Sequence, residues 1–371
     1  MKLRILFFPA FCLLLFPGTF FAAEDASIDH LLSKLPPPEK LIKPSVKKAL
    51  EQRDPAFKDT LTTSALQAFH TRNFPAALKF SRKLVERYPD SAGAQILRGV
   101  AAYDLRQFGE AAAAFQSAIH IQPRSAFAYF GLASIEASEK RYAEAITHLQ
   151  QVIKLQPNAA AAYYALSHCA LRLGRKQESV GYATKAAHLS PSDGYMWLQL
   201  ADAEKSLGHT EGTLNAIARA AQVSPDSGLI FAVLGFSYIN LNRIPQAIPP
   251  LQRAVKLLPN NYLVQSQLGY CLLTVGQTKA AIGYLSNGTR LNSGYGPVWE
   301  HLGVAYQKQG RNRDAAAALE KATQLLPSSA LAWKHLAEAY QATGRSSDAQ
   351  RASTRAQQLG LTAARTSKKK A

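Results

Sequence analysis

His301 and His335 stand 34 residues apart, so two imidazoles on neighbouring helices could begin a metal site. Zinc and other transition metals need three or four nitrogen, sulfur or oxygen ligands around one centre. Neither a cysteine nor a set of carboxylates accompanies this pair, and no metal is expected. Cys169 and Cys271 are separated by 102 residues, three periods of 34. With helices packed roughly 8 to 10 Å from one another, that places them beyond the roughly 7 Å Cα limit of a disulfide. Both read as small buried apolar residues. The chain has no glycine-rich phosphate loop, nucleophile elbow or HExxH, and its serines cannot be matched to a paired His and Asp. Asn287-Gly288-Thr289 is a glycosylation sequon, but it falls inside a helical pattern. Neither catalysis nor a cofactor is expected. The chemistry that remains is recognition, by aromatic side chains and by the cations behind a formal charge of +18.

Recognition residues need a frame, and the prolines reveal it. Pro89, Pro123, Pro157, Pro191, Pro225, Pro259 and Pro327 share one 34-residue lattice, with Ser293 in the one vacant internal position. A proline there ends a helix, because it lacks the amide and clashes with the preceding turn. With the proline as place 32, residues 58–363 divide into nine repeats: 58–91, 92–125, 126–159, 160–193, 194–227, 228–261, 262–295, 296–329 and 330–363. Place 4 includes Tyr129, Tyr163, Trp197, Phe231, Trp299 and Trp333; place 7 is Leu from Leu132 to Leu336; place 8 is always Ala, Gly or Ser. These follow the i, i+3, i+4, i+7 stripe of an amphipathic helix, in which the small residue lets a partner helix approach. A second helix carries alanine at place 20, as in Ala77, Ala111 and Ala315, and at place 27, as in Ala118 and Ala322. Between the helices, Gly174, Gly208, Gly276, Gly310 and Gly344 sit where a turn needs a permissive backbone.

This pattern closely resembles the tetratricopeptide repeat family, whose repeat has an aromatic, Leu-Gly, a later Tyr, an alanine-containing second helix and a closing proline. Trp299, Leu302, Gly303, Tyr306, Ala315, Leu319, Ala322 and Pro327 make the clearest unit. The first repeat has Ser64 in place of Leu, and the last has a polar second helix and no closing proline, as end caps would. The resemblance implies an all-α, right-handed superhelical solenoid with the first helices lining a concave wall. It also implies a non-enzymatic role.

The ends differ from the repeats. Lys2 and Arg4 precede the apolar run Ile5 to Phe21, which closes on Ala22-Ala23, so residues 1–23 read as a secretory signal peptide. The protein is then expected to be exported, periplasmic or secreted, the alternative being an uncleaved signal that anchors it to a membrane. Residues 24–57 read as an extended proline-containing arm with a short helix near Val46 to Gln52. Residues 364–371 read as a basic disordered tail. The arm is charge-balanced, so most of the positive charge falls on the repeats.

Places 2, 5, 9 and 12 project away from the buried stripe of the first helix. In repeats three to seven they bring forward Phe127, Phe130, Tyr164, His168, Tyr195, Leu198, Asp202, Leu229, Phe236, Leu263 and Tyr270. Such an aromatic row suits an extended or helical segment of a partner protein, since Tyr and Phe give large contact area at small entropic cost. The family members that clamp the C-terminal carboxylate of chaperones use Lys and Asn at places 5 and 9. Phe130 with Ser134, Tyr164 with His168 and Leu198 with Asp202 offer no such clamp. A second surface is basic: Arg72, Arg106, Lys140, Arg141, Arg172, Arg175, Arg243, Lys308, Arg311 and Arg345 gather at the inter-helix turns. They suit an acidic protein, an anionic membrane or an envelope polymer. Nucleic acid is not expected, because no module that interleaves aromatic and basic residues is present. The expected function is a protein–protein interaction scaffold of the cell envelope. The alternative is a carbohydrate or polyanion binding module that handles a cell-envelope polymer.

Overall fold

A computed structural model describes residues 54–368, with side chains described to 360. The signal peptide, the arm up to residue 53 with its expected helix, and the last three residues of the tail lie outside the described residues. Eighteen α-helices and one short 3-10 turn account for the described elements, and no strand occurs among them. The chain divides into two units, Met1–Thr213 and Leu214–Ala371, with the boundary inside the helix Thr210–Val223.

The helices keep the register of the lattice. From the second repeat to the eighth, each first helix covers 13 residues, as in Ala92–Asp104 and Gly296–Lys308, and each second helix covers 14, as in Phe108–Ile121 and Asn312–Leu325. In several repeats the closing residue of the preceding one supplies a side-chain cap, while Ala159, Ser227 and Tyr295 do not. Ser91 Oγ accepts from the Ala94 amide at 2.9 Å, Asp193 from Tyr195 at 2.9 Å, and Ser329 from Ala332 at 3.1 Å. Each satisfies one of the amides that a helix start leaves without an internal partner.

Packing follows from the small residue at place 8. In the first unit Phe115, 0% exposed, has its ring between Gly99 and Gly131; a Cβ on either would fall 2.8 and 2.6 Å from the ring. In the second unit Gly235 faces Leu251, Gly269 faces Leu285 and Gly303 faces Leu319 in the same relation. Place 8 thus holds a glycine where the place 24 side chain of the second helix needs its volume. Successive repeats are also tied through place 4. The Trp299 indole donates to the Ser293 carbonyl at 2.9 Å, and Trp197 and Trp333 donate to the carbonyls of Pro191 and Pro327. The acceptor is a backbone group, so Ser293 can replace proline in the lattice without loss of this bond.

Two expectations about the ends are corrected. Residues 55–57 are not extended: Pro55–Lys58 forms a 3-10 turn with Ala56 buried. Asp54 accepts from the Ser91 hydroxyl at 2.7 Å and the Gly93 amide at 3.3 Å, which fixes the turn to the start of the helix Ala92–Asp104. At the other end, residues 364–368 are helical, because the last helix runs over Ser346–Lys368. Leu361 stands where the lattice would place proline, so nothing there removes an amide from the helix.

Candidate protein-binding faces

Several first helices of neighbouring repeats touch one another within each unit, as Ala160–Arg172 and Gly194–Ser206 do in the first. This sets places 2, 5 and 9 of consecutive repeats side by side. In the first unit Tyr195 is exposed, at 37%, while Phe127, Tyr164, His168, Leu198 and Asp202 are half-buried. Phe130 departs from expectation. It is 1% exposed and belongs to the core. Ala101 and Ala165, on the flanking first helices, are members of the same core cluster, and small neighbours leave room that an aromatic ring fills. Ser134, one helical turn on, is buried too, its hydroxyl donating to the Phe130 carbonyl at 2.9 Å.

Electrostatics draws several of these residues into one group. Burial, and then the negative charges of Asp202 and Asp193, push the Tyr164 phenol up to about 12. Burial raises the Asp202 carboxyl to about 6 against the pull of Lys205, and raises Asp193 against hydrogen bonds from the Tyr195 and Met196 amides. Burial and the nearby Arg172 lower His168, whose ring meets Tyr142 edge-on at 6.3 Å. At neutral pH the face presents two tyrosines and a neutral imidazole beside Asp202, which is mostly ionised at a pKa of about 6. It can offer stacking surface and hydrogen bonds of either sense.

The corresponding face of the second unit contains Leu229, Phe236, Leu263 and Tyr270, all half-buried. Phe236 and Tyr270 pack on the core, and the Tyr270 ring lies 4.9 Å from that of His301 at an interplanar angle of 31°. Burial lowers His301, and His335 Nδ1 is 3.6 Å from Glu300. The two histidines that share a place in sequence therefore join an aromatic and carboxylate group, and among the described residues no three His, Cys, Asp or Glu side chains converge as a metal would require. Cys169 and Cys271 are buried free thiols, pushed by burial up to about 12 and about 11. Leu331, at place 2 of the last repeat, is the most exposed of the large apolar residues among those described, at 54%. The sequence reading stopped at the seventh repeat and missed it, although the place number identifies it.

The basic edge divides by what its cations meet. In the second unit Arg311 pairs with Asp314 at 2.6 Å and covers the Tyr306 ring, 4.3 Å from its centroid. Arg345 pairs with Glu320 and Asp348, both at 2.8 Å, and covers Tyr340 at 4.0 Å. In both, the cation is engaged within the fold, by an acid three residues on and an aromatic ring five residues back. Arg243 is half-buried and Lys308 exposed. In the first unit Arg141 pairs with Glu139 at 2.6 Å, Arg175 is 4.0 Å from Glu178, and Arg72 acts on Asp104. Arg106, Lys140 and Arg172 are exposed and enter no ion pair among the described residues. The same turns expose apolar side chains that charge-based reading overlooked: Leu173, Leu241 and Val275, all at place 14. Alignment of the repeats gives the signal, since Leu105 and Leu207 stand there too.

Comparison with known proteins agrees with this architecture. Two family models described as tetratricopeptide repeat match the sequence, one over residues 63–126, 96–159 and 130–194, the other over 296–339. The sequence matches none of the curated proteins. Among solved structures, the C-terminal part of a TPR repeat-containing protein from Cytophaga hutchinsonii is similar with a TM-score of 0.54 and 15% identity, covering 64% of this chain and 98% of that one. MamA is similar at 0.43 and 22%, over 46% of this chain and 94% of its own. YrrB, described as a TPR protein with an unusual peptide-binding site, is similar at 0.35 and 23%, over 60% and 96%. With its paired helices in unbroken 34-residue register and these matched repeats, the chain belongs to the tetratricopeptide repeat family.

Proposed function

We propose that this chain is a non-catalytic scaffold that receives an extended or helical segment of a partner protein on the aromatic face of its first helices. One observation carries the reading: Tyr195 is exposed beside Tyr164, on a face that also holds Phe127, Leu198 and His168 beside the Asp202 carboxylate. A solvated aromatic surface of this kind gains by burial at about 25 cal/mol per Å² of apolar area removed from water. Replacing both Tyr164 and Tyr195 by Ala should leave the helical content unchanged. A photo-crosslinker at Tyr195 in the native cell should capture a protein partner that the same crosslinker at exposed Gln150, on a second helix, does not. Equal capture from the two positions would remove the aromatic face from the proposal.

The setting we propose is the cell envelope, after export. Lys2 and Arg4 ahead of the apolar run Ile5 to Phe21 support this reading. The mature protein purified from its native host should have the intact mass less residues 1–23. A chain that retains its first residues and partitions with membranes would instead be anchored by them.

A further inference from the structure

At each inter-helix turn one residue has positive φ, and in the first unit these are Arg72 (55°), Arg106 (56°), Lys140 (63°), Gly174 (74°) and Gly208 (77°). An L-residue in this conformation costs roughly 1 kcal/mol or more, because its Cβ crowds the following carbonyl oxygen, whereas glycine adopts it freely. Nothing in the packing requires a side chain there. A Cβ on Gly174 or Gly208 would meet no atom within 4 Å. The next residue of the turn repeats the anomaly. Arg141 and Arg175 are the caps of their second helices, make no side-chain cap hydrogen bond, and put positive charge at the positive end of a helix dipole. Consecutive turns of the first unit thus set cations where glycine, and then Ser, Asp or Asn, would be the more stable choice. Where such a break has no compensating ion pair, as at Arg106 and Lys140, it marks a place selected for something other than the fold.

Some of these charges are used internally: Arg141 by Glu139, Arg72 by Asp104. Arg106, Lys140, Arg172 and Lys176 are exposed and enter no ion pair among the described residues. Leu173, 40% exposed, lies next to Arg172 in the chain. We propose that this turn edge of the first unit is a docking surface for an acidic polypeptide segment, with Arg106, Lys140 and Arg172 meeting carboxylates and Leu173 an apolar side chain. The spacing favours a linear partner. First helices in contact lie roughly 8 to 10 Å apart, about three residues of extended chain at ~3.3 Å each. An acid at every third residue with apolar residues between would match both the cations and the leucine, whereas a purely charged polymer would leave the leucine unmet. Only Arg172, which acts on His168, borders the aromatic face, so failure of the Tyr195 crosslink leaves the surface standing.

The test uses the full chain and a fluorescein-labelled peptide with glutamate at every third residue and leucine and alanine between, followed by anisotropy. A peptide with lysine for glutamate and vesicles of phosphatidylcholine with phosphatidylglycerol form the other arms. The glutamate peptide should bind, and should weaken steeply from low to moderate salt. In the double variant Arg106→Gly, Lys140→Gly its affinity should fall roughly fivefold, as expected for the loss of two solvent-exposed charge pairs. The melting temperature of that variant should stay level or rise, since glycine relieves both strained positions. Unchanged affinity, salt-independent binding, or equal binding of the lysine peptide would overturn the proposal. So would vesicle binding lost in the variant without any binding of the peptide. A lower melting temperature would show that the cations serve the fold, and would overturn it as well.

Discussion

Phe115→Ala should remove about 3 to 5 kcal/mol from the stability of the first unit, the range measured when a fully buried Phe is truncated. The ring is 0% exposed and lies between Gly99 of its own repeat and Gly131 of the next. Neither glycine has a side chain that could move into the space, so the cavity cannot readily collapse and the cost should fall at the upper end. The consequence should exceed a local defect. In a repeat array each unit is stabilised mainly by its neighbours, and this ring bridges the second and third repeats. Urea unfolding should therefore lose its single transition, with the first two repeats melting ahead of the rest. A loss below about 1 kcal/mol with one transition retained would mean that the ring does not link the repeats. The reciprocal change, Gly131→Ala, sets a Cβ 2.6 Å from the ring and should cost about 1 to 3 kcal/mol through overpacking.

Wild-type stability should fall as pH rises from about 4 to about 7, and Asp104→Asn should remove most of that fall. Asp104 ends the helix Ala92–Asp104, its Oδ2 is buried without a hydrogen-bond partner, and burial pushes its carboxyl from 3.8 up to about 7 despite the attraction of Arg72. Between those limits the folded chain holds a proton that the unfolded chain has released, so raising the pH favours unfolding. Above about 7 both states are ionised and the loss is complete, on the order of 4 kcal/mol at ~1.4 kcal/mol per pH unit. Asp202, at about 6, and Asp193 are raised by burial in the same unit and act with the same sign, which should leave a smaller slope in the variant. Glu110 works in the opposite direction. Arg82 at 2.5 Å and Arg98 at 2.8 Å hold it down to about 2, so its contribution is gained as pH rises from about 2 through its ordinary value of 4.5. Thermal midpoints should peak near pH 4 to 5 for the wild type, and Asp104→Asn should match it there while exceeding it at pH 8. Equal slopes in the two proteins would show that Asp104 does not carry the dependence.

The repeat register was legible in the sequence because every signal in it is local. Proline at place 32 stops a helix wherever it stands, a small residue at place 8 admits the facing helix, and both recur at a constant offset that needs no knowledge of distant contacts. Side-chain caps such as Ser91 and Asp193 were equally legible, immediately ahead of their first helices, but become persuasive only once the helix start is known. The internal pairing of Arg311 and Arg345 was half legible. Asp314 and Asp348 follow three residues later, while the covering of Tyr306 and Tyr340 depends on the geometry of the turn.

By itself the sequence determined the all-α class, the 34-residue period and the division into first and second helices, since these follow from turn chemistry and helical periodicity repeated along the chain. Only the tertiary structure decided which side chains of a shared place are available. Phe130 and Tyr164 both stand at place 5, yet one is core and the other borders solvent, because exposure is set by the volumes on flanking helices. The same holds for charge. Asp104 reads as an ordinary acid until the packing around it withdraws water from its carboxyl. Arg106 and Lys140 read as ordinary turn residues until the backbone puts them at positive φ with no ion-pair partner among the described residues. A place in a repeat is specified by its own residues, whereas its solvation is specified by its neighbours.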